Sequence, residues 1–204
     1  GLDLERAGVA YDARGVRTDA YLRTANTRVW AVGDVAGRDQ FTHAAGFHGG
    51  LFIRNALFRI SRGRADSVAM PRVVYTEPEL AQVGSSEDAA RAQYGDKVRV
   101  LKASFEDNDR ARTERAHEGF AKIIVVPGGR IVDGLVVGEG AGETIALLQF
   151  AIAHKQKIAD FTSAFVPAYP TRAEILKRAA GQYFAGALFS KTTRALVAFT
   201  SRLP

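Results

Sequence analysis

The chain has 204 residues, 47% of them hydrophobic, which is enough to bury one core or two small ones and too apolar for a disordered chain. No apolar run approaches the roughly 20 residues of a membrane span, no basic-then-apolar N-terminus marks export, and the lack of Cys excludes disulfides, thiolate metal sites and a redox-active cysteine pair within these residues. The formal net charge of +6 gathers at one end, with six Lys or Arg against Glu174 alone in residues 172 to 204 and 22 basic against 21 acidic groups in the other 171, so no nucleic-acid-binding surface is expected.

The chain opens on Gly1 and its one Met is Met70, so its translation start is expected to lie outside it, and its expected compartment is the cytoplasm. In chain order, residues 1 to 9 suggest the end of a helix, and 15 to 23 alternate as a short strand. Val29, Trp30, Ala31 and Val32 form an apolar run typical of a strand covered on both faces. Gly33 after it permits close backbone approach. Asp34 then stands at the strand's carboxyl end, where open α/β sheets present carboxylates to a ligand's hydroxyls; the plainer alternative is an Asp that starts a turn. Thr42 is the expected N-cap of a helix running to about Ile60, with Leu51, Phe52, Asn55, Leu57, Phe58 and Ile60 as its apolar stripe. Residues 61 to 67 read as a linker, which places a domain boundary near 68.

Beyond it the expected elements are a short strand at 73 to 75, a helix at 86 to 94 capped by Ser85 or Ser86, and a strand at 97 to 105. Two apolar runs, 120 to 126 and 131 to 137, are joined by Pro127, Gly128 and Gly129, a hairpin signal. Helices from 141 to about 154 and from 171 to about 184 complete an α+β unit with an antiparallel sheet flanked by helices.

Gly138-Glu139-Gly140-Ala141-Gly142-Glu143 imitates a dinucleotide fingerprint, but its sixth position is a carboxylate, and no strand with an acidic end follows about 20 residues on. It reads as a tight strand-to-helix turn. Thr171 and Glu174 satisfy a capping box, with Tyr169-Pro170 as a stiff entry to the helix. The four histidines, His43, His48, His117 and His154, show no ligand spacing, so no metal site is expected. His43 stands apart because it falls in a helix's first turn, where backbone N–H groups can meet an anion or polarised carbonyl. Residues 185 to 204 place Leu188, Phe189, Leu196, Val197, Phe199 and Leu203 among cations with no acid. Such a segment packs on its own domain, meets a partner, or lies weakly on an anionic membrane surface.

Taken together, residues 27 to 35, Thr42-His43-Ala44-Ala45, residues 71 to 84, Gly140-Ala141-Gly142-Glu143 and Tyr-Pro-Thr-x-x-Glu resemble the flavin-dependent pyridine nucleotide-disulfide oxidoreductases, the group of dihydrolipoamide dehydrogenase, glutathione reductase and mercuric reductase. The resemblance runs from residue 1 to about 184. It implies that residues 1 to 68 are the last stretch of an FAD-binding α/β domain and that 69 to 184 form the dimerisation domain; 185 to 204, outside the resemblance, read as a basic amphipathic tail. It further implies that Gly33, Asp34, Thr42, His43 and Ala44 contact FAD, and that Tyr169 and Glu174 reach the partner subunit's active site in a homodimer. Tyr169 stands where the family pattern has His, and a phenol is a poor base but a good donor. The implied enzyme uses FAD and NAD(P)H on a small-molecule or disulfide substrate, and these residues alone are expected to be inactive and to hold little flavin. The alternative is a self-associating module with no cofactor.

Overall fold

The computed structural model describes residues 1–58 and 63–202, in two compact units, Gly1–Met70 and Pro71–Pro204. In the first unit, residues 4–8 form a turn rather than a helix end, closed by Ala7 N–H to Asp3 O and Val9 N–H to Leu4 O, because Gly8 at φ 67° ends any helical run. The alternation at 15 to 23 yields only a two-residue strand, β2 (Gly15–Val16), paired antiparallel with β1 (Tyr11–Asp12). The strand expected at 29 to 32 makes one antiparallel bridge, Trp30 with Arg23, flanked by Thr24 N–H donating to Val29 O and Ala31 N–H donating to Leu22 O, and does not extend into a longer ladder. Its apolar side chains still enter the core. Ala31 packs with Val9, Val16 and Ala36, and Trp30 packs against Leu22, Leu51 and Ala65.

Helix α1 (Thr42–Phe52) begins at Thr42, with Phe41 as the N-cap and no side-chain cap, so Thr42 is not the cap the sequence suggests. A π-helical stretch, Ile53–Phe58, follows. Its wider turn breaks the 3.6-residue stripe, and Leu57 and Phe58 lie exposed. Ile60, the end of the expected helix, lies outside the described residues, as do the first two residues of the expected linker. The rest of that linker is held, with Asn55 Nδ2 donating to Gly63 O at 2.7 Å and Gly63 N–H donating back to Asn55 Oδ1 at 3.0 Å.

The second unit is a five-stranded antiparallel sheet in the order β3-β4-β7-β6-β5, from β3 (Arg72–Val74), β4 (Leu80–Gly84), β5 (Arg99–Ser104), β6 (Phe120–Val125) and β7 (Ile131–Val137). The β6–β7 hairpin forms as expected, and β4 is an additional strand. Helices α4 (Ala141–Ala153) and α6 (Glu174–Leu188) pack on one face. There Ile123, Val136, Ile145, Leu148, Ile175 and Leu176 are buried. The short α2 (Glu87–Tyr94), capped by Ser86 Oγ accepting from Ala89 N–H, packs through Ala90 on Val98, Ile124 and Val126. Two short helices not expected from sequence are α3 (Asp109–Thr113), capped by Asn108, and α5 (Ile158–Ala164). The tail forms α7 (Lys191–Thr200), whereas Leu203 lies outside the described residues.

Asp133 is the sheet's exception. Its side chain is fully buried, Gln82 Nε2 donates to its Oδ1 at 3.3 Å, and its Oδ2 has no partner among the described residues. Burial pushes its carboxyl up to about 6, with Gln82 and Lys122 pulling the other way.

Candidate functional site

Two sets of sequence-selected residues lie in separate units. In the first, the backbone leaves Val32 extended and enters a 3-10 turn, Gly33–Ala36. Gly33 has φ 77°, and a Cβ there would lie 3.1 Å from Ala45 Cβ on α1, so only glycine lets the turn approach the helix start. The contact is tied by Gly33 N–H donating to His48 Nδ1 at 3.4 Å. His48 is buried, and burial, assisted by the nearby Arg38 cation, pushes its imidazole down, keeping it neutral. With Nδ1 accepting, the proton sits on Nε2.

This packing brings the turn that carries Asp34 against the N-terminal end of α1. Asp34 is exposed, and its main-chain carbonyl accepts from Gly37 N–H. The plainer sequence reading, an Asp that starts a turn, is thus also true of its backbone. At α1, Ala45 N–H makes the first helical bond, to Phe41 O, which leaves the N–H groups of Thr42, His43 and Ala44 outside the helical ladder. Thr42 and His43 are exposed and Ala44 is buried; the His43 ring stacks on Phe41 at 5.2 Å. Gly33, Asp34, Thr42, His43 and Ala44 therefore sit on two adjoining backbone segments. They combine one carboxylate acceptor with a helix N-terminus able to face negative charge.

In the second unit, Tyr169 is 72% exposed, joined to Pro170 by a cis bond, and its phenol donates to Asp109 Oδ2 at 3.0 Å. That hydrogen bond and the Asp109 charge push the phenol above its ordinary value, so it stays a proton donor at neutral pH. The capping box forms by half. Glu174 Oε2 accepts from Thr171 N–H at 3.3 Å, but Thr171 Oγ1 donates back to Ala168 O at 2.7 Å instead of capping the helix. The cap position is taken by Ala173.

Two side chains hold this entry in place and were not singled out by sequence. Asn108, almost fully buried, donates to Thr171 O at 3.0 Å while accepting from Ala111 N–H. Arg172 donates to Glu114 Oε2 from Nε at 3.0 Å and from Nη2 at 2.6 Å, to Glu139 Oε2 at 3.0 Å, and to Ala116 O at 3.1 Å. The glycine-rich turn before α4 is filled from within. Glu79 Oε2 accepts from Gly142 N–H at 3.0 Å, so a carboxylate already occupies the place a nucleotide phosphate would need. A cleft of about 590 Å³ lined by Thr76, Glu77, Glu79, His117 and Glu139 lies beside it. Among the described residues, no group of three or more His, Cys, Asp or Glu side chains is placed to hold a metal ion, and no helix is long and apolar enough to cross a membrane.

Residues 70–180 match the family model of the pyridine nucleotide-disulphide oxidoreductase dimerisation domain, and residues 1–49 match that of pyridine nucleotide-disulphide oxidoreductases. A mercuric reductase of Streptomyces lividans is 39% identical over 183 residues, and a dihydrolipoyl dehydrogenase of Bacillus subtilis is 34% identical over 183 residues. Each alignment covers 88% of this chain and 38% of the relative, so the chain spans less than half the length of the curated relatives it matches. Among solved structures, LpdA from Mycobacterium tuberculosis superposes with a TM-score of 0.79 at 27% identity, over 90% of this chain and 40% of that one. The flavoprotein disulfide reductase RclA from Escherichia coli, at 24% identity and a TM-score of 0.79 over 88% of this chain and 41% of that one, shares the fold. Ordered motifs, an antiparallel sheet flanked by helices and both family models agree: the chain belongs to the pyridine nucleotide-disulphide oxidoreductases and contains their dimerisation domain.

Proposed function

We propose that this chain is the C-terminal part of a homodimeric FAD- and NAD(P)H-dependent oxidoreductase, with residues 1 to 68 closing the flavin-binding domain, 69 to 184 pairing the subunits and 185 to 204 forming a separate tail. The observation that carries the reading is the Gly33–Asp34 turn held on the start of α1 by the Ala45 contact and the His48 hydrogen bond. The residues fit the cofactor: Asp34 would accept from the ribityl hydroxyls, Gly33 would admit them, and the Thr42, His43 and Ala44 N–H groups would face the flavin's pyrimidine edge. Flavin, when bound, supplies the hydride relay between the nicotinamide and the acceptor. The helix N-terminus favours the negative charge that accumulates on its reduced form. Tyr169, whose one O–H is donated to Asp109 here, would turn that donor to a small-molecule or disulfide substrate in the partner subunit's site, with Glu174 fixing its segment from the α6 start.

The test uses the enzyme in full length. Asp34→Ala is expected to lower flavin content at least about tenfold, by losing charge-assisted hydrogen bonds. Tyr169→Phe is expected to keep the flavin and lower turnover about 10- to 100-fold. A full-length protein that dimerises yet shows no flavin absorbance and oxidises no NAD(P)H would instead support the cofactor-free self-associating module.

A further inference from the structure

After Glu174 the chain holds five cations, Lys177, Arg178, Lys191, Arg194 and Arg202, and no acid. The corner from α6 into α7 is tied. Ser190 Oγ accepts from Thr193 N–H at 3.1 Å, and Thr193 Oγ1 donates to Ala187 O at 2.7 Å. α7 is thus a capped helix, yet none of its residues is buried. Leu196, Val197 and Phe199 are 60%, 58% and 64% exposed, and Leu188 and Phe189 at the corner are 58% and 72% exposed. The reading that this segment packs on its own domain therefore fails for α7.

Along α7, Leu196 and Phe199 are three residues apart and share a face. Lys191 and Arg194, also three apart, share another, roughly 140° round the helix. The dimerisation-domain match stops at residue 180, so this helix lies outside the matched residues. What can cover such a face is limited by charge. A second α7 paired through Leu196 and Phe199 would cover the apolar side chains but leave Lys191 and Arg194, on the far side, with no acid to meet, and a nucleic acid would leave the aliphatic and phenyl side chains in water. A surface that is anionic outside and apolar beneath satisfies both faces at once.

We propose that α7 and the Leu188–Phe189 corner dock on an anionic lipid surface. Leu196, Phe199, Leu188 and Phe189 enter between headgroups, while Lys191, Arg194 and Arg202 meet the lipid phosphates. The helix lies in the interface plane and does not span it, and salt screens the cationic contribution.

Flotation of the whole 204-residue chain with vesicles tests this. The chain is expected to float with vesicles of mixed phosphatidylglycerol and phosphatidylcholine, and to stay behind with phosphatidylcholine alone. Lys191→Gln and Arg194→Gln each lower the apparent affinity about fivefold, and high salt does the same. The pair Leu196→Ser and Phe199→Ser lowers it at least about tenfold. These variants change only exposed side chains, so far-UV circular dichroism and the sedimentation coefficient should not move. Failure to float with anionic vesicles at low salt overturns the proposal, and so does undiminished flotation of the serine variant. If that variant instead changes the oligomeric state, the face belongs to a second copy and the lipid assignment is wrong.

Discussion

Asp133→Asn raises the stability of the chain at pH 8 by about 2–3 kcal/mol and flattens its pH dependence. The folded carboxyl titrates near 6, above the ordinary unfolded value of about 3.9. A carboxyl raised on folding binds its proton more tightly in the native state. Its contribution is therefore full below about pH 4, falls as pH rises through 6, and is gone above. Two units at about 1.4 kcal/mol each set the size. Asparagine resembles the protonated acid, so it keeps the acceptor for Gln82 and removes the buried charge. Urea unfolding of both proteins from pH 4 to 8 reads the difference directly. Two curves that run parallel across that range would refute the argument. The acids held below their ordinary values, such as Glu87 beside Arg91 and Lys122, are common to both proteins and cancel in the comparison.

Arg172→Met is expected to cost about 2 kcal/mol, by removing charge-assisted hydrogen bonds and orphaning the half-buried Ala116 carbonyl. The Arg172 side chain is only 13% exposed, and its guanidinium joins three places: the end of α3 through Glu114, the β7–α4 turn through Glu139, and the entry to α6 that it belongs to. Methionine keeps much of the stem's packing, so the loss reports the fork rather than the volume. Arg172→Lys should recover less than half, because one ammonium cannot reach Glu114, Glu139 and the Ala116 carbonyl together. The hydrogen bonds from Arg110 and Arg172 hold Glu114 below the ordinary carboxylate range. The network's stabilisation is therefore present above that range and fades on acidification through it. The unfolding midpoint at pH 7 and at pH 4 checks both statements, and an unchanged midpoint for the methionine variant at pH 7 would contradict the role assigned to the fork.

Most of the second unit was legible because its signals are local. Pro127-Gly128-Gly129 announced a hairpin between two apolar runs, and Ser85-Ser86 announced a capped helix, of which the structure uses Ser86. α3 was hidden because it is five residues, mostly charged, and depends on Asn108, whose other hydrogen bond reaches Thr171 far along the chain. β4 carries only one alternating stretch, Leu80 to Gly84, and becomes a strand because β3 and β7 flank it. In the first unit, periodicity placed α1 but not the cap, and the strand at 29 to 32 found no ladder. The adjacency of Gly33, Asp34 and the α1 start follows from the motif. The residue that secures it, His48, gave no signal, since a lone histidine in a helix looks the same whether or not a distant N–H donates to it. Asp133 did leave a trace, an acid within the apolar run 131 to 137. Arg172 left none, because its partners come together only when three separate turns meet.

The sheet's two rims limit how another chain could add to it. β3 is three residues long and follows Pro71, which has no N–H to offer, and β5 bears Arg99 and Lys102, whose charges rest over the rings of Tyr183 and Phe120. Short, proline-led or positively charged margins discourage another backbone from zipping on. A second copy, if it pairs through this unit as proposed, is therefore steered to meet it side chain to side chain, and the protein is guarded against growing into an endless ribbon.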